Sequence, residues 1–182
     1  MLLHLLRHAH AVSLEEDPVR PLSTRGRGEV ARLARFLGAS GHFRPAQVWH
    51  SPLARSRQTA DDLVSRLLLA DAIRIEIPDL LPEDDPRVLA ERLHLHPKDR
   101  GDILLVGHEP HLSALASLLV RGKARPDLFI LKKCALLTLE LGGGTHKKSG
   151  HSRWRVRWQI APELLPPPAP PAPPASEPSP SI

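Results

Sequence analysis

Arg7-His8, Arg55 and Gly107-His108 each stand just past a stretch that reads as a buried strand, in the case of Arg55 after the short turn Ser51-Pro52-Leu53-Ala54. A fold that aligned those strands would bring two guanidiniums and two imidazoles to one rim of a sheet. Such a cluster suits a phosphoryl group. Guanidinium forks match phosphate oxygens two at a time, and an imidazole can attack phosphorus or, when protonated, donate to it. Surface arginines are usually solvated and isolated histidines usually structural, so residue type alone carries little weight. Their common placement at strand ends points to phosphoryl transfer.

The elements that would position these residues follow from apolar patterning. Leu2 to Leu6 is an apolar run broken only by His4, as expected for a strand covered on both faces. Ser23 is an N-cap for a helix whose face is Val30, Leu33, Ala34 and Leu37, ended by Gly38 and Gly41. A strand at about 47–50 runs into Ser51-Pro52, where proline suits a helix start, and Ala60, Leu63, Val64, Leu67 and Leu68 form the next stripe. Ile73, Ile75 and Ile77 alternate as a third strand, a loop covers 80–85, and Val88, Leu89 and Leu93 mark a short helix. Ile103 to Val106 is a fourth buried strand, and Pro110 opens a helix through Val120. Strands at 134–141 and 153–160, joined by a glycine-rich loop, close the order. Strand-helix repeats ending on a hairpin imply an α/β fold: a mostly parallel sheet with helices on both faces and an antiparallel C-terminal hairpin. In such sheets ligands bind beyond the carboxyl ends of the strands, where all three motifs fall.

The 182 residues suit one domain with an appendage. A catalytic domain is expected over 1–160. From Ala161 onward the composition shifts, with ten of the 20 prolines, to a polyproline-like tail over 161–182 whose ligand the sequence does not identify. The net charge of +5 and pI near 10.0 fit a site that attracts anions, because the charges are dispersed rather than clustered. Cys134 is the one cysteine, so there is no disulfide framework; with no membrane span or signal peptide in the sequence, the expected location is cytoplasmic. Neither a nucleic acid nor a membrane is expected as partner, and no cofactor.

Leu5-Leu6-Arg7-His8-Ala9-His10 resembles the Arg-His-Gly/Ala motif of the histidine phosphatase superfamily, the phosphoglycerate mutase-like group. Ser51-Pro52-Leu53-Ala54-Arg55-Ser56-Arg57-Gln58-Thr59-Ala60 is similar to its Ser-Pro-x-x-Arg-x-x-Gln-Thr-Ala stretch, and Val106-Gly107-His108-Glu109-Pro110 resembles its second-histidine motif. Val19-Arg20-Pro21-Leu22-Ser23, the short length and the sparse 80–88 segment narrow the likeness to SixA-type phosphohistidine phosphatases. The resemblance implies a phosphoglycerate mutase-like fold and a metal-independent phosphatase. His8 would become a transient phosphohistidine, while Arg7, Arg55 and His108 hold the equatorial oxygens and Arg20 adds a fourth contact. Ala9, where the superfamily more often has glycine, would let the backbone approach the phosphate, and Ser51 is a candidate donor to it. The implied substrate is a phosphorylated protein bearing phosphohistidine. A small phosphoester or nucleotide-related substrate is the alternative, and a phospho-ligand binding adaptor the non-enzymatic one. In relatives that cleave esters a carboxylic acid from the region after the third strand protonates the leaving oxygen; Glu83, Asp84 and Asp85 are the candidates here.

Three other patterns have plainer explanations. His94-x-His96 and His8-x-His10 lack the carboxylate or thiolate companions of a zinc site, so no metal is expected. Gly142-Gly143-Gly144 followed by Lys147-Lys148-Ser149 lacks the glycine and the helix of a phosphate-binding loop and reads as the hairpin loop. Arg153, Arg155 and Arg157 interleaved with Trp154 and Trp158 suggest a strand whose tryptophans share a core face and whose arginines share a solvated one.

Overall fold

The structure is a computed structural model that describes residues 1–167. Six strands, β1 (Leu2–Arg7), β2 (Gln47–His50), β3 (Ile73–Glu76), β4 (Ile103–Gly107), β5 (Leu136–Thr145) and β6 (Ser152–Ile160), form one sheet in the order β3-β2-β4-β1-β5-β6. The β3-β2, β2-β4 and β4-β1 pairs are parallel; β1-β5 and β5-β6 are antiparallel. The expected α/β architecture is what forms. The apolar runs of β4 and β1 occupy the centre, where both faces are covered, and the β3 isoleucine pattern sits at an edge with Ile73 exposed.

Helices α1 (Thr24–Ser40) and α2 (Ala54–Arg66) cover one face, and α3 (Pro86–Leu95) and α4 (His111–Arg121) the other. Leu6, Val30, Leu33, Leu63 and Val106 belong to the first of the two resulting cores, Leu3, Leu5, Leu89, Leu105 and Leu115 to the second. Ser23 caps α1 by accepting the Gly26 N–H at 3.1 Å, and Gly41 closes the helix at φ 67°, a backbone state glycine enters without strain. Gly26 has a separate duty. A Cβ there would lie 2.0 Å from the His10 carbonyl oxygen, so only glycine lets α1 seat against the loop that leaves β1.

Several expectations are corrected in the details. Trp158 and Trp154 do not share a face: Leu139 pairs with Val156 and Thr138 with Trp158, so Arg157 is an extra residue, a bulge that turns the strand over. Trp154 is therefore buried on the face that α4 covers, whereas Trp158 faces His4, their rings 6.2 Å apart. The arginines still point to solvent. Gly142 to Gly144 lie within β5, not in the loop, which is confined to residues 146–151. The start of β5 also moves back from Cys134 to Leu136, because Cys134 turns through φ 58°. Leu68 is exposed past the end of α2 at φ 54° rather than on its apolar stripe.

Beyond Ile160 the described chain makes a short 3₁₀ turn (Pro162–Leu164), after which Leu165 is buried in the α1–α2 core and Arg35 holds the Pro166 and Pro167 carbonyls at 3.0 and 2.8 Å. A leucine inside the proline-rich composition thus finds a place on α1. The rest of the expected tail, 168–182, lies outside the described residues. Among the described residues no helix is long and apolar enough to cross a membrane.

Candidate active site

The carboxyl end of β1 is gripped from both sides. The His8 N–H donates to the Gly107 carbonyl at 3.0 Å, Arg7 N–H to Ala135 at 3.1 Å, and Cys134 N–H back to Arg7 at 3.1 Å. Register between β1, β4 and the 131–135 segment therefore delivers Arg7-His8 and Gly107-His108 side by side, with the two imidazole centres 5.0 Å apart. One Arg7 nitrogen donates to the Leu131 carbonyl at 2.8 Å, while its Nε is buried with no protein partner.

Each imidazole is oriented by one nitrogen. His8 Nδ1 lies 2.7 Å from the Ala9 carbonyl, which can only accept, so Nδ1 carries the proton and Nε2 a lone pair. His108 Nε2 lies 2.8 Å from Ser51 Oγ. That hydroxyl accepts the Leu53 N–H at 3.3 Å and can donate to Nε2, which places the His108 proton on Nδ1, a buried atom without a protein partner. The pair thus offers one lone pair and one unsatisfied donor. Ser51, fully buried, sits behind His108 and orients it.

Arg55 stands in the first turn of α2, and the same helix pins the neighbouring loops one turn later. Gln58 Oε1 accepts the Leu22 N–H at 2.7 Å, and Thr59 Oγ1 accepts the Ala9 N–H at 3.1 Å. This explains the Arg-x-x-Gln-Thr spacing: residues three and four apart share the helix face that meets both loops. It also corrects the reading of Ala9, whose N–H is already taken by Thr59 and whose methyl is buried in the core. Arg20 is held at φ 52° by its N–H to Asp17, with its Nε 3.3 Å from the Val12 carbonyl.

The electrostatics are those of an anion site. Burial, then Arg55, Arg7 and Lys133, push the His8 imidazole down to about 3, although its bond to Ala9 opposes the shift. Burial, then His8 and Arg55, push His108 down to about 3. Arg55 is lowered by burial and by Arg20. Among the described residues none of Arg7, Arg20 or Arg55 forms an ion pair. Cations held together with no carboxylate paired to Arg7, Arg20 or Arg55 among the described residues favour a multiply charged oxyanion between them.

Lys133, which the sequence reading passed over, joins this group; burial, Arg7 and Arg20 lower its ammonium. Its local signal is weak, because only the folding of 131–135 around Arg7 brings it to the rim. Glu29 was also missed: its carboxylate accepts the His10 N–H at 2.9 Å and pairs with Arg25 at 3.0 Å, anchoring the loop after His8. Glu109, beside His108, has a carboxyl raised by burial and lowered in part by Arg7.

The three candidate acids differ. Asp84 accepts the Leu81 N–H at 2.6 Å, and Asp85 caps α3 through the Arg87 N–H at 2.9 Å; both are engaged in holding their own loop. Glu83 is exposed. The two histidine pairs diverge: His94 meets Ser152, His96 meets Gln47 and Trp49, and His10 meets Ser23.

Residues 3–83 match the family model described as histidine phosphatase superfamily, branch 1. No curated protein sequence matches the chain significantly. Among solved structures, the protein histidine phosphatase SixA complexed with tungstate is 25% identical over 89% of this chain and 97% of its own, with a TM-score of 0.74. A phosphohistidine phosphatase SixA from Agrobacterium tumefaciens is 22% identical over 88% and 97%, with a TM-score of 0.64. A mycobacterial glucosyl-3-phosphoglycerate phosphatase is 19% identical over 86% and 96%, with a TM-score of 0.62. The segment that matches the histidine phosphatase superfamily model carries Arg7, His8, Arg20 and Arg55, the sheet sets His108 beside His8, and the fold of the described residues is similar to that of SixA.

Proposed function

We propose that the protein is a metal-independent phosphatase that removes the phosphoryl group from phosphohistidine on a protein, with His8 as nucleophile. The observation that carries this reading is the unprotonated Nε2 of His8, kept so by burial and by the cations around it, in a cluster of donors for phosphate oxygens. The Nε2 lone pair forms a bond to phosphorus as the bond to the departing imidazole breaks, and the released imidazole takes up a proton. Water then attacks the phosphorus, the bond to His8 Nε2 breaks, and inorganic phosphate leaves with the nucleophile restored. Arg7, Arg55 and the His108 Nδ1–H meet the three equatorial oxygens, whose charge is spread in the transition state. Arg20 and Lys133 stand behind them as further positive charges. We place the reaction in the cytoplasm, where a thiol such as buried Cys134 stays reduced.

Phosphohistidine suits this site because imidazole is a far better leaving group than an alkoxide, and Asp84 and Asp85 are tied to backbone N–H groups. Exposed Glu83, the one of the three acids not tied to a backbone N–H among the described residues, is the candidate acid for an ester, the second reading, which the mycobacterial neighbour's name favours. A non-catalytic phospho-ligand adaptor has no use for a lone pair held free at His8.

Turnover of a phosphohistidine protein and of an alkyl phosphate by wild type, Glu83→Gln and the triple Glu83→Gln/Asp84→Asn/Asp85→Asn variant separates the readings. On phosphohistidine both variants are expected to stay within about tenfold of wild type, below the usual range for a lost general acid. If the alkyl phosphate is the better substrate and its turnover collapses in Glu83→Gln, the protein is an ester phosphatase.

A further inference from the structure

Two turns bring a further pair of cations to the rim of the site, beside those that meet the transferring oxygens. Lys133 sits in the turn closed by the Ala135 N–H to the Lys132 carbonyl at 2.9 Å. Cys134, the next residue, fixes that turn against the site, its N–H lying 3.1 Å from the Arg7 carbonyl and 3.2 Å from that of His8. Lys132 is taken by Glu163, whereas Lys133 has no ion pair among the described residues. The other turn carries Arg20, whose Nε lies 3.3 Å from the Val12 carbonyl while the Val12 N–H donates to the Pro21 carbonyl at 3.0 Å. Arg20 and Cys134 hold φ of 52° and 58°. Such left-handed states are strained for residues with a side chain and persist where the surroundings enforce them, as at ligand clamps.

Lys133 lies on one side of the pocket. After burial it is the largest charge lowering His10, and it acts on His8 as well. At His108, burial is followed instead by His8, Arg55, His111 and Arg7. The second pair of cations therefore flanks the loop that leaves β1, toward His10 and the start of α1.

The phosphoryl group itself needs neither. Arg7, Arg55 and the His108 N–H already face three equatorial oxygens in the proposed mechanism. With Arg20 and Lys133 added, four cations gather around a group of about two negative charges, which leaves roughly two positive charges over. Nearby carboxylates do not cancel them: Glu29 is matched by Arg25 at 3.0 Å, and burial raises Glu109 toward its neutral form. Glu15 and Glu16 are exposed, where water and salt screen them, while Arg20 and Lys133 are both partly buried. Uncompensated charge in that setting favours a further anion.

We infer that Arg20 and Lys133, given the phosphoryl site proposed at His8, form a second anion subsite that takes a carboxylate or phosphate carried by the substrate beside its reacting phosphoryl group. On a phosphohistidine protein that group is an aspartate or glutamate next to the modified histidine; on a small phosphoester it is a second phosphate.

Ligands that cannot be hydrolysed separate the subsite from turnover. By calorimetry, phosphonoacetate should bind the full-length protein at least about tenfold tighter than methylphosphonate, which lacks the carboxylate. Lys133→Met and Arg20→Met should each remove most of that preference, whereas Arg7→Met should weaken both ligands and keep it. A wild-type ratio near one overturns the inference, as does a preference that survives in either Lys133→Met or Arg20→Met. Equal loss in Arg7→Met also overturns it, because that is the mark of a general positive field. Turnover then identifies the carrier. A phosphohistidine peptide with aspartate beside the histidine should exceed its asparagine counterpart about tenfold in kcat/KM, and Lys133→Met should abolish the difference. If only an alkyl bisphosphate is favoured over an alkyl phosphate, the subsite stands and the phosphohistidine reading fails. Preference in neither series overturns the subsite.

Discussion

Burial lowers both His8 and His108, and in the proposed mechanism the division of labour between them rests on single hydrogen bonds. Because each folded-state value is displaced downward to about 3, both imidazoles should remain uncharged in the free protein at pH 5. Titration of their ring nitrogens by NMR checks this, and a midpoint near 6.5 for either contradicts it. Arg7→Ala, Arg55→Ala and His108→Ala should each cost at least about a hundredfold in turnover, the scale of one lost transition-state charge contact. If Ser51 acts by orienting His108, Ser51→Ala should lower kcat about tenfold with KM little changed, and Ser51→Thr should restore most of it. A KM effect alone would instead place the hydroxyl on the bound phosphate. Arg7, His8, Arg55 and His108 were legible in the sequence because each sits within a short motif beside a strand. Lys133 and Glu29 were not, since their meaning comes from a loop and a helix folding across residues distant in sequence.

At the scale of elements, the central strands and all four helices follow from apolar periodicity, because burial on both faces leaves a strong local imprint. The edge does not. The bulge at Arg157 inserts one residue without altering the composition of β6, and so the shared face expected for Trp154 and Trp158 fails. The glycines at 142–144 read as loop because glycine usually breaks strands, yet pairing with β6 carries the strand through them; a Cβ at Gly142 would lie 3.0 Å from the Arg153 carbonyl. Gly26 gives the clearest test of how an element sets the site. Gly26→Ala drives a methyl into the His10 carbonyl and should cost about 1–3 kcal/mol in urea unfolding, with reduced turnover as the loop after His8 shifts. Stability and activity both equal to wild type would show that α1 does not brace that loop.

For the whole molecule, three buried imidazoles couple stability to pH. His4, His8 and His108 titrate at about 4, 3 and 3 when folded but near 6.5 when unfolded. Between those values the unfolded chain binds more protons, so stability is full above pH 6.5 and falls as the pH drops toward 4. Each imidazole adds up to about 1.4 kcal/mol per pH unit to that slope. His4→Gln should flatten it by roughly one proton in urea unfolding between pH 6.5 and 4.5, and an unchanged slope contradicts the assignment. The chain's end matters too. Ending it at Ile160 removes Leu165 from the α1–α2 core and should cost about 1.5–3 kcal/mol, whereas ending it after Pro167 should cost little. Equal thermal midpoints for the two would show that the 161–165 turn contributes nothing. Composition marks where the prolines begin, but not that a leucine among them packs.

Trapping the covalent intermediate tests the central claim most directly. Wild-type protein mixed with phosphoryl-labelled substrate and quenched within milliseconds in base should retain label as an acid-labile, base-stable phosphohistidine on the peptide containing His8. His8→Ala should retain none. Label on that variant, or a wild-type chain that turns over without ever holding label at His8, would contradict nucleophilic catalysis by this imidazole.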